Sequence, residues 1–159
     1  MATLADNKKE EFENTCQVFI DSVNNYFEHL TDIKSKTGVP YLKDSEDMIL
    51  KDFTGMIGIS GSKTGFVYIS GDKKMYDLLV NIFLDIEKPS NEDILDMAGE
   101  LSNVVAGNVR EKYGNNFMIS VPIVFQGSPE KIKFPKDVPA YVIPIEWCNY
   151  KASVVIGIK

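Results

Sequence analysis

Residues 94–112, "ILDMAGELSNVVAGNVREK", place the tightest constraint on how this chain can fold. At about 100° per residue, Met97, Ala98, Leu101, Val104, Val105 and Val109 fall on one broad face, which must be buried against a second layer. The start is marked by Ser90 with Asp93 three residues on, close to a capping box, and Gly114 marks the stop. Yet the helix contains Gly99 and Gly107, each costing about 1 kcal/mol against alanine. Either something comes close to this helix, or chemistry sits on it.

The rest of the chain supplies the second layer. Helical spacing of Phe12, Cys16, Phe19, Ile20, Val23 and Phe27 predicts a helix over about 8–36, broken by Gly38 and Pro40. Strand-like runs follow at about 48–60 and 64–70, with "GISGSKTG" as the hairpin turn between them. Asp72 can cap a helix over about 73–85. Strand-like runs at about 116–126, 139–148 and 151–158 close the chain, the last two joined tightly at Asn149-Tyr150. This order predicts one α+β domain over residues 1–159, with long helices on one face of a mainly antiparallel sheet. A long helix leads strands in each half, which hints at a duplicated unit, though the halves share little sequence.

Several functions are disfavoured by what the chain lacks. A net charge of -6 argues against nucleic acid, because neutralising phosphates needs clustered Lys and Arg. No run of about 18 apolar residues predicts a membrane span. The segment "MATLADNKKEEF" has no apolar core of a secretory signal, so a cytoplasmic location is expected. One histidine and two cysteines do not make a zinc set, and no metal site is expected. His29, in "NNYFEHLTD", reads as a solvated surface residue, and Cys16 and Cys148 as reduced, mostly buried thiols. Neither GxxxxGK[ST] nor GxGxxG occurs, so no glycine loop for phosphate is indicated.

On the flank of the apolar face, Asp96, Glu100, Asn103 and Gly107 share a strip roughly 60° wide. Glu100 and Asn103 are one turn apart, about 4.5 Å along the axis, so both tips can reach one small target. Asparagine is no base, but its amide donates and accepts and can orient a water. A glutamate is a fixed negative charge suited to a partner's lysine. Such a pair fits a reaction whose electrophile arrives activated and whose water needs only placing, as in phosphoryl hydrolysis. Glu and Asn on a helix flank are ordinarily just solvated, so the strip alone names no function. Asn108 falls within the apolar face and is expected to be a buried, hydrogen-bonded amide.

The stretch "DMAGELSNVVAGNVREKYG" resembles the D/S-x-x-x-E-x-x-N helix of the CheX/CheC/FliY chemotaxis phosphatases, with Asp96, Glu100 and Asn103 in the motif positions. "PYLK", "GMIGISGSKTGFVYIS" and "FMISVPIVFQG" follow the order and approximate spacing of CheX-type sequences, so the resemblance covers roughly residues 10–158. It implies a CheC/CheX-like fold and a phosphatase acting on the aspartyl phosphate of a CheY-like receiver domain. Asn103 would enter the receiver's active site and orient the attacking water, while Glu100 pairs with the receiver's lysine. Asp96 and Gly107 would lie on the partner-facing strip. Gly107 would allow close approach of the partner or, alternatively, serve helix-sheet packing; Gly99 falls away from the strip, and the sequence assigns it no role. No cofactor is expected on this chain, since the Mg²⁺ required belongs to the receiver. CheX-type proteins are homodimers joined through their sheets, and "YVIPIEW" and "ASVVIGI" offer candidate pairing edges. Another Glu-x-x-Asn, Glu11 to Asn14, has Asn7 before it and Val18 where a glycine would follow, and reads as chance. The alternative function is a non-catalytic CheC-like module that binds a response regulator or another signalling partner.

Overall fold

The computed structural model describes residues 1–43, 48–129 and 138–159. Three helices, α1 (Leu4–Thr31), α2 (Lys73–Leu84) and α3 (Asn91–Tyr113), accompany eight strands. These are β1 (Lys36–Thr37), β2 (Tyr41–Leu42), β3 (Phe53–Gly61), β4 (Gly65–Gly71), β5 (Phe117–Ile119), β6 (Ile123–Gln126), β7 (Tyr141–Trp147) and β8 (Tyr150–Ile158). They form one sheet in the order β1-β7-β8-β4-β3-β5, with β2 also on β7 and β6 also on β3. Every pairing is antiparallel.

Period-two alternation decides which face of the sheet meets the helices. Phe53 and Ile57 of β3, Val67 and Ile69 of β4, Ile143 and Ile145 of β7, and Val154 and Ile156 of β8 point to one side. There they join Phe19, Val23 and Phe27 of α1, Met75 and Leu79 of α2, and Ile94, Leu101, Val105 and Val109 of α3 in one buried cluster. On the other side a smaller cluster of Phe66, Tyr68, Val142 and Val155 is covered by Met48, Ile49 and Leu50. The Ile49 N–H donates to the Tyr68 hydroxyl (3.0 Å) and the Lys51 N–H to Ser70 Oγ (2.7 Å), so the covering segment is tied to the sheet through its backbone.

The helices-on-one-face α+β architecture agrees with the sequence reading; the differences lie at boundaries and joins. The first helix ends at Thr31 rather than near 36, because Asp32 turns left-handed (φ 59°). Two short strands, β1 and β2, lie where the sequence suggests only a break, and the strand expected from about 48 begins at Phe53, since the preceding residues, Met48, Ile49 and Leu50 among them, run over the sheet's second face. Asp72 is the N-cap of α2, but its side chain makes no capping bond there. Its carboxylate accepts instead from the Lys151 N–H, and Asp52 accepts from the Lys73 N–H (2.8 Å). The turn between β7 and β8 is Cys148-Asn149, one residue earlier than expected, and both residues have positive φ as a type I′ hairpin requires. The candidate pairing edges are not open. β8 lies between β7 and β4, and the outer edge of β7 carries β1 and β2.

Candidate functional site

A capping box fixes where α3 starts, and three contacts with the rest of the fold fix how it is rotated. At its start Ser90 and Asp93 complete a capping box: Ser90 Oγ accepts from the Asp93 N–H (3.1 Å), and the Asp93 carboxylate accepts from the Ser90 N–H (2.9 Å). In its middle the buried Ser102 hydroxyl donates toward Ala98 O (2.9 Å) and Gly55 O on β3 (3.1 Å). Helix and strand come this close only because position 55 has no side chain. A Cβ there would stand 2.4 Å from Ala98 O. From α1, Ser22 Oγ donates to Val105 O (3.1 Å), and near the far end Arg110 Nε donates to Phe117 O (3.1 Å).

With its apolar face so held, α3 turns the predicted strip outward. Asp96, Glu100 and Asn103 are exposed and Gly107 is half-exposed. Their polar tips are unspent: among the described residues, Asp96, Glu100 and Asn103 make no side-chain hydrogen bond or ion pair. Asp96, Glu100 and Asn103 line one cleft of about 590 Å³, whose opposite wall is Ile119 at the end of β5 and Ser120, Val121 and Pro122 in the β5–β6 connection. Gly107 does not line it and lies one turn further along. On the other flank, a groove of about 660 Å³ between α1 and α3 is bordered by Tyr26, Val104 and Asn108. The strip is thus a ridge between two hollows.

Two glycines and one amide are settled here. A Cβ on Gly99 would meet Val124 Cγ1 at 3.1 Å and Pro122 Cγ at 3.7 Å, so Gly99 lets the β5–β6 connection lie against α3. A Cβ on Gly107 would meet nothing within 4 Å, which removes the helix-sheet packing reading for that residue. Asn108 is half-buried in the α1–α3 groove and its side chain makes no hydrogen bond among the described residues, contrary to the buried, bonded amide expected. The apolar face is narrower than the wheel suggests: Val104 and Asn108 are only half-buried and border the groove between α1 and α3. Of the other candidates, His29 is exposed with Nδ1 against Asn25 O (2.8 Å), and both cysteines are free. Glu11 of the second Glu-x-x-Asn is paired with Lys63.

Sequence reading missed the cleft's second wall, because 116–126 looked like one strand. In the structure β5 pairs Ile59 with Ile119, β6 pairs Met56 with Ile123, and three residues, 120–122, face two, 57–58. That is a β-bulge. The available signal was Pro122, which lacks the N–H that an uninterrupted ladder would need. Tyr26 was missed as well. Its hydroxyl approaches Met97 Sδ (3.7 Å), and burial, with the Glu100 carboxylate adding to it, pushes its phenol pKa up. Glu100 therefore has a buried phenol near it and no protein cation paired with it among the described residues.

Chemically, the cleft offers two carboxylates and an amide; its hydroxyl, on Ser120, is engaged with the Gly58 N–H and Val121 O. Among the described residues no group of three His, Cys, Asp or Glu side chains is gathered to hold a metal ion. No helix is long and apolar enough to cross a membrane among them. The family model described as chemotaxis phosphatase CheX matches residues 53–146. The fold is similar to the chemotaxis protein CheX from Desulfovibrio desulfuricans, with 22% identity, 92% of this chain and 99% of that one covered, and a TM-score of 0.80. It is similar to a CheC-like superfamily protein from Shewanella sp. PV-4, with 25% identity, 91% and 97% covered, and a TM-score of 0.79. It is also similar to CheX in the CheX-CheY-BeF3-Mg²⁺ complex from Borrelia burgdorferi, with 21% identity, 91% and 97% covered, and a TM-score of 0.73. Comparison with curated protein sequences finds no match.

Proposed function

The chain belongs to the chemotaxis phosphatase CheX family, and from that premise we propose that it hydrolyses the aspartyl phosphate of a CheY-like receiver domain. One observation carries the reading: Glu100 and Asn103 stand one turn apart on an exposed ridge, unpaired among the described residues, on a helix locked on its other sides. The ridge enters the receiver's active site. Asn103 accepts a hydrogen bond from the attacking water through its carbonyl oxygen and so aims the oxygen at phosphorus. The Glu100 carboxylate pairs with the receiver's lysine, which holds the two surfaces in register. Mg²⁺ is held by the receiver and offsets the phosphate's charge; this chain contributes positioning. The open space over Gly107 leaves room for the partner's backbone, and Asp96 borders the same contact.

A location in the cytoplasm goes with that substrate. The homodimer of the family reading would use a sheet edge other than β7 and β8. The β1–β2 side, with Val39, Tyr41 and Leu42 exposed, is open to it.

The test is steady-state phosphate release from receivers kept phosphorylated by a small-molecule phosphodonor. Glu100→Ala and Asn103→Ala should each lower kcat on the order of 10²-fold, as expected for loss of one transition-state contact. The thermal midpoint should stay unchanged, because both side chains are exposed. A receiver that binds without any shortening of its phosphate lifetime would make the protein a binding module.

A further inference from the structure

The bulge opposite the ridge is a built structure that presents an apolar side chain to solvent. Its backbone is pinned from β3: the Ser120 N–H donates to Gly58 O (2.9 Å), and the Gly58 N–H donates to Ser120 Oγ (2.8 Å). From the other side Gly99 of α3 receives Pro122 and Val124. Between these anchors Val121 is left 83% exposed while lining the same cleft as Glu100 and Asn103. Single exposed apolar residues are ordinary on protein surfaces. A valine held outward on the wall facing Glu100 and Asn103, in a cleft whose lining also includes Leu95, Ile119 and Pro122, on backbone fixed from two sides, is a different matter.

We propose that Val121, on the bulge 120–122, is the apolar anchor of the receiver docking surface, paired across the cleft with the Glu100–Asn103 ridge. This rests on the reading of the protein as one that engages a phosphorylated receiver. The charge pattern favours it. The ridge carries Asp96 and Glu100 and the chain's net charge is -6, while the receiver's Mg²⁺ is already engaged in offsetting the phosphate. Apart from the single Glu100–lysine pair, electrostatics does little to hold the two proteins together, so adhesion must come from apolar surface beside the ridge. Burying one exposed valine strengthens binding by roughly tenfold or more. The bulge is therefore a binding element, and the ridge carries the chemistry.

The experiment compares wild type with Val121→Asp, Val121→Ser and, as a control, Ile123→Asp. Ile123 is 61% exposed two residues away but does not line the cleft; it pairs with Met56 on the sheet's other face. KM for the phosphorylated receiver should rise about tenfold for Val121→Asp and several-fold for Val121→Ser, with kcat and thermal midpoint unchanged. Ile123→Asp should leave KM where it is. An unaltered KM in both Val121 variants overturns the proposal. So does a change of oligomeric mass at constant KM, which would assign the patch to a second copy of the chain. If wild type turns over no receiver, the same variants are measured for binding to a receiver loaded with beryllofluoride and Mg²⁺. A tenfold loss there for Val121→Asp keeps the docking surface although the phosphatase reading has failed, and equal affinities remove both.

Discussion

Gly99 and Gly107 sit two turns apart on one helix and serve opposite ends. Gly99 exists for the protein's own packing, with Val124 and Pro122 against it, whereas Gly107 faces open space. Gly107→Ala should therefore stabilise the fold by up to about 1 kcal/mol, through helix propensity alone, and raise the thermal midpoint. It should also raise KM for the receiver if the bare backbone is where the partner approaches. Gly99→Ala gains the same propensity but must push Val124 Cγ1 back from 3.1 Å, so its midpoint should fall below that of Gly107→Ala. Differential scanning of the two variants reads that difference. The strip of Asp96, Glu100, Asn103 and Gly107 was legible because a helix converts spacing directly into faces. The role of Gly99 was not, since its neighbours are more than twenty residues away in sequence and the spacing of one helix says nothing about them.

Elements were legible where their signals are local. The capping box of α3 reads directly from Ser90 and Asp93, and Ser90→Ala should cost about 1 kcal/mol of stability in a denaturant titration. Joins were harder. Asp72 has the right residue type and position to cap α2, yet its carboxylate is drawn to the Lys151 N–H. The α2 amide is served by Asp52, twenty-one residues earlier. The bulge at 120–122 was hidden in an apparently continuous strand, because its extra residue is defined against β3 and not within its own segment. Ser120→Ala should loosen it: the Gly58 N–H loses its acceptor, and proton exchange at that amide should accelerate relative to its neighbours on β3.

The α+β class follows from the alternation of helical and strand-like periods, but the order of strands within the sheet does not, because periodicity does not name neighbours. That is why β7 and β8 looked like edges when one is central and the other is covered. The assembled core has a pH signature. Burial pushes the Cys16 thiol up to about 12 and the Tyr68 phenol up to about 12. In both cases the folded chain keeps a proton that the unfolded chain releases at lower pH, so their contribution is complete below about pH 8.5 and is lost as pH rises toward 12. Denaturant midpoints should fall steadily above pH 9, and a flat profile to pH 11 would contradict that burial. At pH 8 a thiol reagent should modify half-buried Cys148 well before Cys16. At this same scale the molecule is a rigid frame holding two polar tips outward. The most direct test is single-turnover decay of ³²P on a CheY-like receiver, with saturating wild-type protein, with saturating Asn103→Ala, and with neither. Rapid loss is expected with wild type and near-spontaneous decay with Asn103→Ala, although the variant still binds. Equal acceleration by both proteins would remove Asn103, and with it the ridge, from the chemistry.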